Sequence, residues 1–234
     1  MIKGKLYLVP NTLGGDDPDQ VIPDKVLEIM RNLDYFIVEN ERNARRFLIK
    51  CGYQKSIDNI KFFILNKHTP QNEINTFLNP CFDGQDMGII SEAGVPGVAD
   101  PGVEITSMAH KRKIDVVPLS GPSSIIMALM ASGMNGQQFC FHGYLPVKTP
   151  ERKNKIRQLE SEAKKTGYTQ LFIETPYRNN ALLDSLKATC RPDTLLCIAC
   201  DITRPAEFIK TMKIKDWKKE RVDLKKRPSI FLLS

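Results

Sequence analysis

Ser91-Glu92-Ala93-Gly94-Val95-Pro96-Gly97-Val98-Ala99-Asp100-Pro101-Gly102 follows directly on the apolar run Met87-Gly88-Ile89-Ile90. Such a run reads as a buried strand, and the glycines after it let the backbone approach a bound molecule closely. Carboxyl ends of strands are where open α/β sheets hold ligands. Asp100 has the side chain of an N-cap and Pro101 the fixed φ of a first helical residue, which predicts a helix running to about Lys111. An ordinary strand-to-helix loop would use the same turn chemistry.

A second loop of this kind, Pro118-Leu119-Ser120-Gly121-Pro122-Ser123-Ser124, follows the apolar run 114–119 and leads into the small-residue helix 123–132. The two loops lie about thirty residues apart, the length of one βαβ unit. A parallel crossover over that length brings successive strand ends side by side, so both loops are expected on the same edge of a sheet. Pro-x-x-Gly-Pro also makes a good linker. The boundary is placed there, giving an N-terminal α/β domain over 1–118 with a mostly parallel sheet and a C-terminal α/β domain over 119–234 with a mixed sheet. A cleft between two domains is a favoured ligand site.

Outward from these loops, strand and helix alternate, the mark of an α/β fold. Strands are predicted at Leu6–Val9, Tyr35–Val38, 60–65, Met87–Ile90 and 115–118, with helices at 24–31, 43–51, 71–79 and 103–111 between them. In the second half strands are predicted at Phe139–Tyr144, 171–174, Leu195–Cys200, 207–211 and 230–233. Helices are expected at 151–165 and 178–189, with a short one near Trp217. No Gly-x-Gly-x-x-Gly follows the first strand, which argues against an ordinary dinucleotide fold.

The formal charge of +7 on 234 residues is unevenly spread: residues 1–117 carry 14 Lys/Arg against 16 Asp/Glu, net −2, and residues 118–234 carry 20 against 11, net +9. A basic half suits a polyanion such as RNA, because neutralised phosphates supply most non-specific nucleic-acid affinity. A solvated charged face has the same composition. The six cysteines form no disulfide or zinc framework. Cys197 and Cys200 fall on opposite sides of one apolar strand, so a buried structural role is expected of them. His68, His110 and His142 are too scattered for a metal site, and none is expected. No basic-then-apolar leader and no apolar run of membrane-spanning length is present, which predicts a cytoplasmic protein.

Leu6-Tyr7-Leu8-Val9-Pro10, Glu39-Asn40-Glu41-Arg42, the loop 91–102, Val116-Val117-Pro118-Leu119-Ser120-Gly121-Pro122-Ser123-Ser124 and Phe139-Cys140-Phe141-His142-Gly143-Tyr144-Leu145-Pro146-Val147-Lys148 resemble, in order, the motifs of the tetrapyrrole methylase superfamily. The nearest branch is the bacterial 16S ribosomal RNA (cytidine-2′-O)-methyltransferases. The resemblance implies two α/β domains with S-adenosylmethionine in the cleft between them, a homodimer, and a small-subunit ribosomal RNA substrate. Carried over by motif, the cofactor contacts become Pro10, Ser91, Glu92, Ala93, Val95, Val98, Ser124, Ile125, Leu145, Glu174, Thr203, Pro228, Ser229 and Ile230. The chain departs from the pattern in three places. Glu39-Asn40-Glu41-Arg42 replaces Glu-Asp-Thr-Arg, Ser91-Glu92-Ala93-Gly94-Val95-Pro96 replaces Ser-Asp-Ala-Gly-Thr-Pro, and Pro10-Asn11-Thr12-Leu13-Gly14-Gly15 replaces Pro-Thr-Pro-Ile-Gly-Asn.

A ribose hydroxyl is a poor nucleophile until deprotonated, so a carboxylate at the cleft is the natural base. Glu39, Glu41, Glu92 and Glu174 are the candidates, with Glu39, Arg42 and Glu92 expected to be catalytic. Lys148, Arg152, Lys153, Lys155 and Arg178 are expected to meet RNA. Two alternatives stay open. One is a small-molecule methyltransferase of the tetrapyrrole type, disfavoured because those relatives usually carry a Gly-Asp-Pro-type loop. The other is a cofactor-binding protein that has lost catalysis.

Overall fold

A computed structural model of the chain describes residues 3–15 and 17–234. The chain divides into two units, the first ending at Ser123 and the second beginning at Ser124. The division falls inside the second Gly/Pro loop, a few residues beyond the boundary expected after 118.

The first unit is built on β1 (Leu6–Val9), β2 (Tyr35–Val38), β3 (Lys61–Ile64), β4 (Met87–Ile90) and β5 (Val116–Pro118), in the spatial order β3-β2-β4-β1-β5. Every pairing is parallel. Each connection therefore has to cross the sheet, and the crossovers bury both faces. Helices α1 (Asp24–Asn32) and α2 (Glu41–Lys50) cover one face, packing Val26, Leu27, Met30, Phe47 and Leu48 on Val9, Phe36, Val38 and Ile90. The single-turn helices α3 (Gln71–Ile74) and α4 (Asn79–Phe82), with α5 (Gly102–Lys111), cover the other, on Leu6, Ile37, Met87 and Ile89. Adjacent strand residues go to opposite faces, as the period of two requires.

Where one helix is expected over 71–79, the chain makes two single turns. Pro80 has no N–H to donate, and Phe77 and Asn79 instead donate to carbonyls three residues back, Ile74 O at 3.1 Å and Thr76 O at 2.9 Å. The tightened turns still bury Ile74, Phe77, Leu78 and Cys81.

In the second unit β6 (Phe139–Tyr144), β7 (Thr169–Ile173), β8 (Leu195–Cys200), β9 (Phe208–Lys213) and β10 (Ser229–Leu233) lie in the order β6-β7-β10-β8-β9. Only β6 and β7 are parallel neighbours; β10 runs antiparallel between β7 and β8. Helices α7 (Thr149–Thr166), α8 (Asn179–Thr189) and α9 (Ile214–Trp217) close one face over Phe172, Ile198, Cys200 and Phe231. Phe172 and Phe231, partners in register, stack at 6.0 Å. The fully buried Trp217 donates its indole N–H to Leu196 O at 2.8 Å. The apolar helix α6 (Ser124–Ser132) packs on β8, β9 and β10. Cys197 and Cys200 are both fully buried, and burial pushes both thiols up. Among the described residues no helix is long and apolar enough to cross a membrane.

One residue shows how tightly the first sheet is specified. Gly88 sits opposite Phe36 in the parallel register, and a Cβ there would lie 2.8 Å from two carbons of the Phe36 ring and 3.1 Å from Leu33. Overpacking of this kind costs about 1–3 kcal/mol. Gly88→Ala is accordingly expected to lower Tm by several degrees in a calorimetric scan, whereas an unchanged Tm would show that the ring moves aside freely.

Candidate functional site

Because all five strands of the first sheet are parallel, their carboxyl ends share one edge. Val9, Ile90 and Val38 are level in the register, so Pro10, Ser91 and Glu39 leave the sheet side by side. Asn11 joins two of these exits. Its N–H donates to Gly94 O at 2.8 Å, and its side-chain amide donates to Ser91 O at 2.9 Å and Glu92 O at 3.2 Å. The buried Ser91 hydroxyl closes the same turn by donating to Gly94 O at 2.9 Å. Gly94 holds φ +72°, which favours glycine, and a Cβ on it would press Leu13 at 3.3 Å and Pro122 O at 3.4 Å. Gly121 packs on Pro10 so closely that a Cβ would come within 2.2 Å of the ring. The loops 10–13, 91–94 and 121–122 are thus one packed structure.

Asp100 ties the far end of the long loop, its Oδ1 accepting from the N–H groups of Gly97 and Gly102 at 2.7 Å each. The helix begins at Gly102 rather than Pro101. The Asp100 carboxylate still takes the N–H of its first residue, as a capping side chain does. Val38, Glu39, Ile90, Asp100 and Gly102 line a crevice at this edge. Burial pushes the half-buried Glu39 carboxyl above its ordinary value, the negative charges of Asp100 and Glu92 push it further, and the Glu92 N–H pulls partly back. Three carboxylates therefore converge at the ends of β2 and β4.

The altered motif 39–42 is explained by its hydrogen bonds. Asn40 is the N-cap of α2, its Oδ1 accepting from Asn43 N at 3.1 Å, a role Asn fills as well as Asp. Glu41 pairs with Arg45 at 2.8 Å one turn on. Glu92 accepts from the Asn43 side chain at 2.6 Å. Arg42 is exposed in the first turn of α2, on the same edge as Glu39. Ala93 and Val98 are exposed on the loop, and Val95 is half-buried.

In the second unit the antiparallel β10 makes the corresponding edge. It starts where β7 and β8 end, so Glu174, residues 201–203 and residues 228–229 come together, beside Leu145 at the end of β6. Backbone bonds knit these loops: Asp201 N to Pro228 O at 2.9 Å and Lys226 N to Pro176 O at 2.9 Å. The buried Asp201 accepts from Arg227 Nε at 2.6 Å, and the Asn179 amide donates to Arg227 O at 2.6 Å. Burial pushes the Glu174 carboxyl up, but its bonds from Arg178 and Thr175 outweigh this and hold it below its ordinary value. Arg178 donates to Glu174 Oε1 from Nε at 3.0 Å and Nη2 at 2.7 Å. Glu174 Oε2 and the Thr203 hydroxyl are buried with no hydrogen-bond partner among the described residues.

Several expectations change at this level of detail. Arg152 does not face RNA: it is 6% exposed, and its guanidinium donates to Ser185 Oγ at 3.0 Å, Val147 O at 2.9 Å and Thr149 Oγ1 at 3.3 Å, bracing α7 on α8. Leu145 is buried in the core of this unit and Ile230 is buried in β10, so neither side chain is exposed at the edge. Ser229 is buried, its hydroxyl donating to Arg227 O. Ser124 and Ile125 open α6, both half-buried. Glu41 is paired with Arg45, and Glu174 is held by Arg178 and Thr175, so both carboxylates are already engaged. Lys148 is exposed beside Glu151 at 3.6 Å, and Lys155 donates to Gln158 at 3.2 Å. Lys153 is half-buried on the same helix. Sequence reasoning missed Asn11, Asn43, Asp201 and the place of Asp100 beside Glu39. Only Asn11 carried a signal, its departure from the family's Pro-Thr-Pro. Among the described residues no cluster of His, Cys, Asp and Glu could hold a metal ion.

Known proteins resemble the chain along nearly all of its length. "Ribosomal RNA small subunit methyltransferase I" of Escherichia coli O157:H7 is 28% identical over 99% of this chain and 78% of its own length. The protein of that name from Haemophilus influenzae is 30% identical over 92% of this chain and 72% of its own. Among solved structures, the methyltransferase CobJ superposes with a TM-score of 0.64 at 13% identity, covering 99% of this chain and 94% of that one. The cobalt precorrin-4 methyltransferase CbiF superposes at 0.61 with 16% identity, over 98% and 94%. Both share the two-sheet α/β architecture. Residues 5–217 match the profile of the tetrapyrrole (corrin/porphyrin) methylases, and the chain belongs to that family of methyltransferases.

Proposed function

We propose that the chain transfers the methyl group of S-adenosylmethionine to a ribose 2′-hydroxyl, that of a cytidine in 16S ribosomal RNA. The relatives over nearly the whole chain are ribosomal RNA small subunit methyltransferases, and the second unit carries a net charge of +9, which suits an RNA partner. The observation that carries the reading is the convergence of Pro10, Glu39 and the 91–102 loop on one strand-end edge with its three carboxylates.

Bound S-adenosylmethionine supplies an electrophilic methyl group on a cationic sulfonium. The residues here suit such a molecule. Glu39, Glu92 and Asp100 make a negative edge for a positive centre, and Glu174 Oε2 and the Thr203 hydroxyl are buried polar atoms that a ligand's polar groups would satisfy. In the first unit Pro10, Ser91, Glu92, Ala93, Val95 and Val98 are proposed to meet it. In the second unit the proposed contacts are Ser124, Ile125, Glu174 and Thr203, with the backbone of Leu145 and of 228–230.

Glu39 is the proposed general base. Its raised pKa moves it toward the working pH, and no salt bridge engages it among the described residues. Asn43 fixes Glu92, which orients the edge rather than moving a proton. Arg42 is proposed to hold a phosphate, with Lys148, Lys153, Lys155 and Arg178 meeting the flanking backbone. Methyl transfer is an in-line displacement, so holding acceptor and donor in line supplies much of the rate. The chain is proposed to act as a homodimer, which the exposed Ile126 and Met130 on α6 support, and in the cytoplasm, where ribosomal RNA is assembled.

Tritiated methyl should pass to isolated small ribosomal subunits, at a ribose. Transfer to a precorrin, or to a base nitrogen or carbon, would overturn the substrate. Ala93→Trp should weaken S-adenosylmethionine binding in calorimetry by about tenfold or more, about 1.4 kcal/mol, with Tm unchanged. Equal affinity would remove the loop from the site.

The raised Glu39 pKa has a signed consequence for stability. It favours the folded state below the unfolded value of 4.5, and that contribution is lost as pH rises through the folded value. Glu39→Gln should therefore raise Tm by about 1–3 °C at pH 7.5 and leave it level with wild type near pH 4, while methyl transfer falls. A lower Tm at pH 7.5 would show that the three carboxylates do not repel.

A further inference from the structure

Two tyrosines stand apart on the strand-end edge of the second unit. Tyr144 is 61% exposed and Tyr177 71% exposed, although Leu145 and Glu174 beside them are buried. Tyr144 ends β6 opposite Ile173, the last residue of β7, and Tyr177 lies in the turn by which the chain leaves β7. Neither hydroxyl has a hydrogen-bond partner among the described residues. Two exposed aromatic rings on one sheet edge make a patch of the kind that marks an interaction surface.

The backbone around Tyr144 is shaped for this. The register of β6 on β7 shifts between Phe141 and Tyr144, a bulge in which Gly143 holds φ +64°. A Cβ at Gly143 would meet nothing within 4 Å, so the glycine serves the conformation and not the space. Bulges of this kind re-aim a side chain beside a functional site. Arg178 follows Tyr177 directly. Its guanidinium is held by the buried Glu174, and the side chain remains 35% exposed. Tyr144 in turn pairs with Ile173, the residue before the Glu174 that holds the guanidinium.

We propose that Tyr144 and Tyr177 form a stacking platform for one unpaired nucleobase of the RNA substrate, with Arg178 set to meet the adjoining phosphate. Single-stranded RNA is recognised by splaying bases onto aromatic rings and guanidinium planes, and rings with free faces accept any base. A platform on this edge would hold a nucleotide near Glu174, Thr203 and 228–230, the residues proposed to meet the cofactor. The net charge of +9 on the second unit favours RNA over an uncharged planar ligand. The inference rests on the ribosomal RNA reading and adds to it the place where a base is gripped.

The test uses the full chain with Tyr144→Ala, Tyr177→Ala, the double variant, and Tyr→Phe at each position. Methyl transfer to small ribosomal subunits gives KM and kcat, calorimetry gives S-adenosylmethionine affinity, and Tm reports folding. Each Ala variant should raise KM for subunits about tenfold. Cofactor affinity should stay within about twofold of wild type, and Phe should restore most of the loss because the ring is kept. Wild-type KM in the double Ala variant, with wild type active on subunits, would overturn the platform and leave the function standing. Phe variants as impaired as Ala variants would overturn stacking in favour of the hydroxyls. No transfer to subunits by the wild type, with Tyr-dependent binding of a porphyrin, would overturn both readings.

Discussion

Parallel register is the constraint on which the rest depends. With Val9, Ile90 and Val38 level across β1, β4 and β2, the three chains leaving the sheet must emerge together. Backbone groups at such exits have no ladder partners, and Asn11 supplies them with one side chain and one N–H. The connection after β1 leads across to β2, and the connection after β4 leads the other way to β5. Chains departing in opposite directions leave a crevice at the strand ends, which is where open α/β sheets bind their ligands. Glu39 acquires its raised pKa from that placement: it sits at a sheet edge between two other carboxylates, partly withdrawn from water.

The second unit reaches a comparable edge by a different route. Its sheet is mixed, and β10 inserted antiparallel between β7 and β8 brings one strand's start against two strands' ends. Two buried carboxylates, Glu174 and Asp201, stand at that meeting point, each held by an arginine from a neighbouring turn. A buried charge is tolerated only when paired and hydrogen-bonded, so these arginines are anchored by the fold, and the Arg178 side chain stays partly exposed. The basic surface is correspondingly smaller than the sequence count, since Arg152 is buried and Arg227 is engaged by Asp201.

Much of the fold was legible because it follows from local pattern. The apolar runs at 6–9, 35–38, 87–90 and 195–200 are strands to the residue, and the loop after Ile90 declared itself by its glycines and prolines. The helix expected over 71–79 failed because Pro80, just past its end, tightened the turns before it. Candidate site residues were nameable from the sequence where a family motif carried them, as with Pro10, Ser91 and Glu174, which lie at strand ends. Asn11, Asn43 and Asp201 were not, because their importance comes from partners 80, 49 and 26 residues away in sequence. Arg152 was misread for the same reason: a cation among cations looks like surface until Ser185, 33 residues on, is seen to accept from it.

The central claim is that the strand-end edges are where the cofactor is held. Amide hydrogen exchange with and without saturating S-adenosylmethionine tests it most directly. Protection is expected at 10–13, 91–97, 174–175, 201–203 and 228–230, with the opposite strand ends unchanged. Protection confined to other segments, or none at all, would contradict the account.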